Sequence, residues 1–171
     1  MEPNLSIKKS PIAGNGVFAN EMIVKDQTII FFTGEICSLE EMLLRVKEGR
    51  EQPADPLEIE DEQYLDLDEL SRTFNHSCDP NAYIRGKEEL VALRDIEAGE
   101  EIAYDYSTTM NDNEEKIKEA GFPIWTAKCN CGSKICRGII DQFKTLSKDR
   151  RDYYIQNKFM QDFMLRVFKN S

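Results

Sequence analysis

"RTFNHSCDPNA", residues 72–82, is the most informative segment of this chain. It holds the only histidine of the chain, His76, directly after Asn75 and two residues before Cys78. Its second half, Asp79-Pro80-Asn81, has turn chemistry of its own: proline presets φ, and Asp and Asn bond their own backbone. A turn does not explain why Asn, His and Cys stand together. The explanation lies in the rest of the chain.

The chain has 171 residues, 40% of them hydrophobic, enough for one core and a single compact fold. No apolar run approaches the roughly 20 residues of a membrane helix. The N-terminal "MEPNLSIKKS" lacks the charged-then-apolar order of a secretion signal. The expectation is an intracellular protein, with nucleus and cytoplasm not distinguished. Thirty-two acids against 22 bases give a formal charge of −10, which argues against direct binding of nucleic acid or anionic membrane. The acids gather in "DPLEIEDEQYLDLDE", residues 55–69, which has no Lys or Arg. This run reads either as a solvated face or as an acidic rim that draws in a lysine-rich segment.

"TIIFFTGEI" from Thr28 is β-branched and aromatic and reads as a strand stopping at a glycine. "SLEEMLLRVKEG" reads as a helix, with Ser38 and Glu41 as its capping pair and Gly49 as its stop. Short strand-like pieces follow: "YLDLD", "AYIRG", "ELVALR" and "EEIAYDY". A small helix is expected over 112–120, ending at Gly121. From Asp141 the pattern is helical, with Phe159, Phe163 and Val167 on one stripe and Met160 and Met164 beside it, read as core.

Cys129, Cys131 and Cys136 lie in "CNCGSKICRG". Cysteines one residue apart seldom bridge each other, and an intracellular setting keeps thiols reduced. Three thiolates on a glycine-containing turn suit Zn²⁺, which wants a fourth ligand. Cys37, Cys78 and His76 are the candidates, Cys37 reading better as a small buried residue.

Several motifs together resemble those of the SET-domain protein-lysine methyltransferases with a post-SET segment. "GNGVFA" (14–19), "FTGEI" (32–36), "RTFNHSCDPNA" (72–82), "AGEEIAYDY" (98–106) and "CNCGSKICRG" (129–138) occur in the family's order. A lone G-x-G would be uninformative, since the third glycine and long helix of a dinucleotide fingerprint are missing. Five motifs in order are specific. The resemblance implies a β-rich α+β fold of short strands in small sheets, with a C-terminal pseudoknot and a helical tail. It divides the chain into a SET domain (1–124), a post-SET zinc-binding segment (125–140) and the tail (141–171).

The resemblance also assigns roles. Cys78 would join Cys129, Cys131 and Cys136 on structural zinc. S-adenosylmethionine would lie against Gly14, Asn15 and Gly16, held by Asn75 and the His76 backbone, with Arg72 and Tyr106 near the same pocket. Tyr106 matches the catalytic tyrosine, and Tyr104 the position governing how many methyls are added, which points to mono- or dimethylation. Phe32 stands where many members carry a Tyr. Residues 107–125 are either a lid or surface elaboration. The expected activity is methyl transfer to a lysine of a basic protein segment, a histone tail among the candidates, by a monomer. The alternatives are a catalytically silent SET-like module that binds a lysine-bearing partner, and a zinc-centred interaction domain, which would leave four of the motifs without a reason.

Overall fold

The structure is a computed structural model that describes residues 3–169. The chain begins with β1 (Leu5–Lys9), β2 (Asn15–Ala19), β3 (Thr28–Phe31) and β4 (Gly34–Ser38), followed by helix α1 (Leu39–Lys47). Then come β5 (Leu57–Glu60), β6 (Gln63–Leu67), β7 (Asn75–His76), β8 (Ala82–Arg85), β9 (Glu89–Ala92) and β10 (Glu101–Tyr104). Helix α2 (Glu114–Glu119), strands β11 (Ala127–Lys128) and β12 (Ile139–Ile140), and helices α3 (Lys148–Asn157) and α4 (Asp162–Phe168) complete it. Among the described residues no helix is long and apolar enough to cross a membrane.

Strands this short cannot build one broad sheet. They form β1-β2-β10-β7, β3-β9-β8, β4-β6-β5 and the β11-β12 pair. The three larger sheets turn Val17, Ile29, Phe32, Leu65, Phe74, Ile84, Leu90 and Ile102 into one shared core. Each fully buried side chain of this kind contributes roughly 1.5–3 kcal/mol. The fold is therefore β-rich α+β in small sheets, as its motifs imply.

β10 is the crossing point. It runs antiparallel to β2, with Ile102 opposite Val17, and parallel to β7, with Ala103 opposite Asn75 and Tyr104 opposite His76. Parallel neighbours require a crossover rather than a hairpin. The crossover lays the Asn75-His76 motif beside the Asp105-Tyr106 motif, the juxtaposition that the expected pseudoknot requires.

Helix α1 follows its sequence signals: Ser38 Oγ accepts from the Glu41 N–H at 3.2 Å, and Gly49 takes φ +71° beyond the last turn. Gly121 likewise adopts φ +85° after α2. Three expectations need correction. Gly34 opens β4 rather than ending a strand, and it is glycine because a Cβ there would stand 1.9 Å from the Asp66 carbonyl oxygen of the paired strand. The acidic run contains β5, with Leu57 and Ile59 buried, which its charge density concealed. The tail is not one continuous pattern. Lys158 turns left-handed at φ 57° and ends α3. Met160, Phe163 and Met164 enter a core with Phe143, Leu146 and Tyr154, while Val167 is exposed.

Candidate active site

The sulfurs of Cys78, Cys129, Cys131 and Cys136 all lie within 4.8 Å of one another. Zn–S bonds near 2.3 Å in a tetrahedron place sulfurs about 3.8 Å apart, and Cys78 Sγ is 3.7 Å from Cys129 Sγ. Backbone N–H groups of Arg137 and Gly138 point at Cys78 and Cys136 sulfurs, each at 3.4 Å, as they would toward thiolates. Burial raises the Cys78 and Cys129 thiols, whereas hydrogen bonds around Ser133 and Cys78 overcome burial at Cys131 and bring its thiol down to about 6, so a bound cation would have to ionise the other two. The donor set and its spacing fit zinc. Cys37 packs with Leu39, Met42 and Tyr64 in a separate cluster, so Cys78 is the fourth sulfur.

His76 stands behind this cluster rather than in it. Its Nδ1 accepts from the Tyr106 backbone N–H at 3.1 Å, and its Nε2 lies 3.3 Å from Cys78 Sγ. A ring accepting at Nδ1 carries its proton on Nε2 and donates it to the sulfur. Burial, reinforced by Arg137 and opposed by Asp105, lowers its pKa to about 4, so the ring is neutral.

Asp105 is fully buried and organises the surroundings. Arg137 grips both its oxygens, the Tyr154 hydroxyl donates at 2.8 Å, and the Ser107 N–H caps it at 3.1 Å. One carboxylate thus ties β10, the cysteine segment and α3 together.

The Gly14 loop meets Asn75 directly. Asn75 Nδ2 donates to the carbonyls of Ala13 (3.2 Å) and Asn15 (2.9 Å) and to Glu101 Oε1 (2.7 Å). Gly14 needs its φ of +50°, whereas Gly16 is extended and needs its missing Cβ for space.

On the other face of β10, Tyr104 is buried, with its ring 4.9 Å from Tyr106 and 5.8 Å from Phe32. The Tyr106 hydroxyl donates to the Phe74 carbonyl at 2.6 Å. Burial raises both phenols, so each stays protonated near neutral pH and serves as a hydrogen-bond donor. A cavity of about 150 Å³ adjoins them, walled by Tyr104, Tyr106, Phe74, Met110 and Trp125. Phe32 is packed on Phe74 at 5.5 Å and offers no hydroxyl here.

The structure thus brings Gly14, Asn15, Gly16 and Asn75 into one cluster and Tyr104 and Tyr106 into another. His76 joins Tyr106 to the cysteines. Arg72 sits elsewhere on the cavity rim: its Nε donates to the Leu67 carbonyl at 2.7 Å and its Nη atoms pair with Asp66 and Asp55. Phe122, Pro123 and Trp125 also reach this wall, as does Ile117 of α2, which packs on Leu39, Met42 and Tyr64.

The acidic run is neither a bare face nor a free rim. Asp66 pairs with Arg45 and Arg72, Glu60 with Arg166, and Glu62 with Lys116. Glu58 is buried and accepts from the Asn111 N–H at 2.9 Å. Sequence reading passed over Asp105, Arg137 and Glu101, although all three stand inside quoted motifs. Their importance arises from partners 26 to 91 residues away in the chain.

A family model described as the SET domain matches residues 14–107. The chain is 32% identical over 152 residues to the histone-lysine N-methyltransferase ASHR3 of Arabidopsis thaliana, covering 81% of this chain and 28% of that protein. It is 28% identical over 149 residues to the human histone-lysine N-methyltransferase 2B, covering 80% of this chain and 5% of that protein. The chain thus spans less than a third of the length of these curated relatives. Among solved structures, a humanized mutant of the Chaetomium thermophilum Polycomb Repressive Complex 2 bound to GSK126 aligns with a TM-score of 0.57 at 25% identity. That alignment covers 66% of this chain and 16% of the other.

Proposed function

The chain belongs to the SET-domain family, and on that premise we propose that it is an S-adenosylmethionine-dependent protein-lysine N-methyltransferase with a structural zinc. The observation that carries this reading is the arrangement along β10. One face meets the Gly14 loop through Asn75, and the other puts the Tyr104 and Tyr106 rings 4.9 Å apart beside a cavity with a largely apolar lining.

S-adenosylmethionine supplies an electrophilic methyl group on its sulfonium. Gly14, Asn15, Gly16, Asn75 and the His76 backbone are the residues that would hold it. The lysine must arrive uncharged, because an ammonium has no lone pair. Walls such as Phe74, Met110 and Trp125 exclude water and lower the amine pKa by desolvation. Tyr106, with its hydroxyl fixed on the Phe74 carbonyl, would orient the reacting groups in line. Tyr104 narrows the same space, which supports addition of one or two methyls rather than three.

In this reading, zinc on Cys78, Cys129, Cys131 and Cys136 clips residues 125–140 onto the body, so metal binding and the order of that segment are coupled. The substrate is a basic segment of a protein, a histone tail among the candidates, and the chain acts as an intracellular monomer. The test is transfer of labelled methyl from S-adenosylmethionine to core histones and, separately, to a basic-protein fraction of lysate. Label on lysine that disappears with Tyr106→Phe is the expected result. Label that persists undiminished in that variant would remove Tyr106 from the mechanism.

A further inference from the structure

Glu101 reaches back from β10 to the Gly14 loop. Its carboxylate oxygens lie 2.8 and 2.9 Å from Ser10 Oγ, and Oε1 also accepts from Asn75 Nδ2 at 2.7 Å. Ser10 in turn closes the loop: its Oγ accepts from the N–H of Ile12 (2.9 Å) and Ala13 (3.3 Å), and its own N–H donates to the Gly14 carbonyl at 3.1 Å. The carboxylate lies so close to β2 that a Cβ on Gly16 would stand 2.0 Å from Glu101 Oε1 and 3.0 Å from Asn75 Nδ2.

We propose that Glu101 is the positioning residue of the cofactor loop: with Ser10 it holds residues 10–16 and the Asn75 amide in binding geometry, and Gly16 is glycine to admit its carboxylate. The inference rests on the methyltransferase reading for the identity of the ligand. The arrangement itself has a physical logic that does not need the ligand. An Asn side chain can rotate its amide, and a carboxylate accepts only, so Glu101 compels Asn75 to present Nδ2 to the loop and leaves Oδ1 facing away. A Ser hydroxyl has one proton. Giving it to Glu101 leaves its lone pairs for the two loop amides. Charge-assisted bonds of this kind are the stronger class, which suits a loop with little burial of its own.

The test uses the whole chain with zinc, and S-adenosylhomocysteine as the calorimetric probe. Glu101→Ala should weaken probe binding at least tenfold while zinc content is unchanged. Glu101→Gln, which keeps an acceptor oxygen, should stay within threefold. Gly16→Ala should lose as much as Glu101→Ala, and the double variant should lose no more than either single one, because both remove the same contact. Without any ligand, amide exchange at Ile12 and Ala13 should quicken in Glu101→Ala. Should that variant lose its fold, Ser10→Ala gives the same exchange readout. Unchanged probe affinity and exchange in Glu101→Ala would overturn the proposal and leave the methyltransferase reading standing. No probe binding by the unsubstituted chain would overturn the methyltransferase reading and the cofactor part of this one.

Discussion

Asp105 and Arg137 form a two-pronged ion pair, Nη1 to Oδ2 at 2.7 Å and Nη2 to Oδ1 at 2.8 Å, around a carboxylate with no solvent exposure. It joins the motif that ends β10 to the segment that carries three of the four clustered cysteines. A charge buried this deeply is tolerated because a planar fork satisfies both oxygens.

Arg137→Ala strands that carboxylate with only Tyr154 and Ser107 as donors. Breaking a buried pair by removing one partner costs about 3–5 kcal/mol. Urea unfolding should show a loss of this size, and Arg137→Lys should recover only part of it, since an ammonium cannot bond both oxygens in one plane. A loss below about 1 kcal/mol, the range of exposed pairs, would mean that the pair holds nothing together.

Cys78→Ser should lower zinc content and free residues 125–140, seen as faster amide exchange at Cys129, whose N–H donates to the Gly138 carbonyl at 3.1 Å. Chelation of the unsubstituted protein should produce the same pattern. Full zinc occupancy in the serine variant would show that Cys78 is not a ligand.

Glu58 provides a test by pH. Burial, opposed by the Asn111 N–H and reinforced by Asp112, pushes its pKa up to about 8. In the unfolded chain a glutamate titrates near 4.3. The unfolded state therefore releases this proton first, and stability is eroded as pH rises from about 4 to about 8. Glu58→Gln keeps an acceptor for Asn111 and removes the titration. It should flatten that slope and be more stable at pH 8 by about 2–4 kcal/mol, a figure discounted from the shift for relaxation and water entry. Denaturant midpoints at pH 5 and pH 8 measure this, and an unaltered slope would exclude Glu58 as its source.

Tyr104→Phe removes one hydroxyl from the cavity beside Tyr106. Intact-mass analysis of the product should move toward a higher methylation state, with the fold unaffected because the ring still packs on Phe32. The same product distribution as before would mean that the hydroxyl does not limit the space for added methyls.

Much of this molecule was legible in its sequence. The cap at Ser38, the stops at Gly49 and Gly121 and the strand pieces from "AYIRG" to "EEIAYDY" are local signals, and local signals survive folding. The cysteine spacing pointed to a metal site, and the fold gathers those three sulfurs with that of Cys78. β5 was not legible, because Leu57 and Ile59 are separated by an acid that is itself buried, so the alternation read as charge. The tail break was not legible either: the left-handed turn at Lys158 redirects Met160 and Gln161 toward the body, where Gln161 Nε2 donates to the carbonyls of Glu58 (2.9 Å) and Lys87 (2.7 Å).

Chain order sets which residue types adjoin: Asn75 before His76, Asp105 before Tyr106, and two of the cysteines one residue apart. Tertiary structure alone decided which of them meet. Parallel pairing of β7 with β10 is made through a crossover of more than twenty residues, and no short-range preference encodes that closure. Burial then selected partners for what the crossover enclosed. Asp105 took Arg137, Asn75 took Glu101, and Arg72 went to Asp66 and Asp55, because a polar group without water must find its hydrogen bonds within the fold.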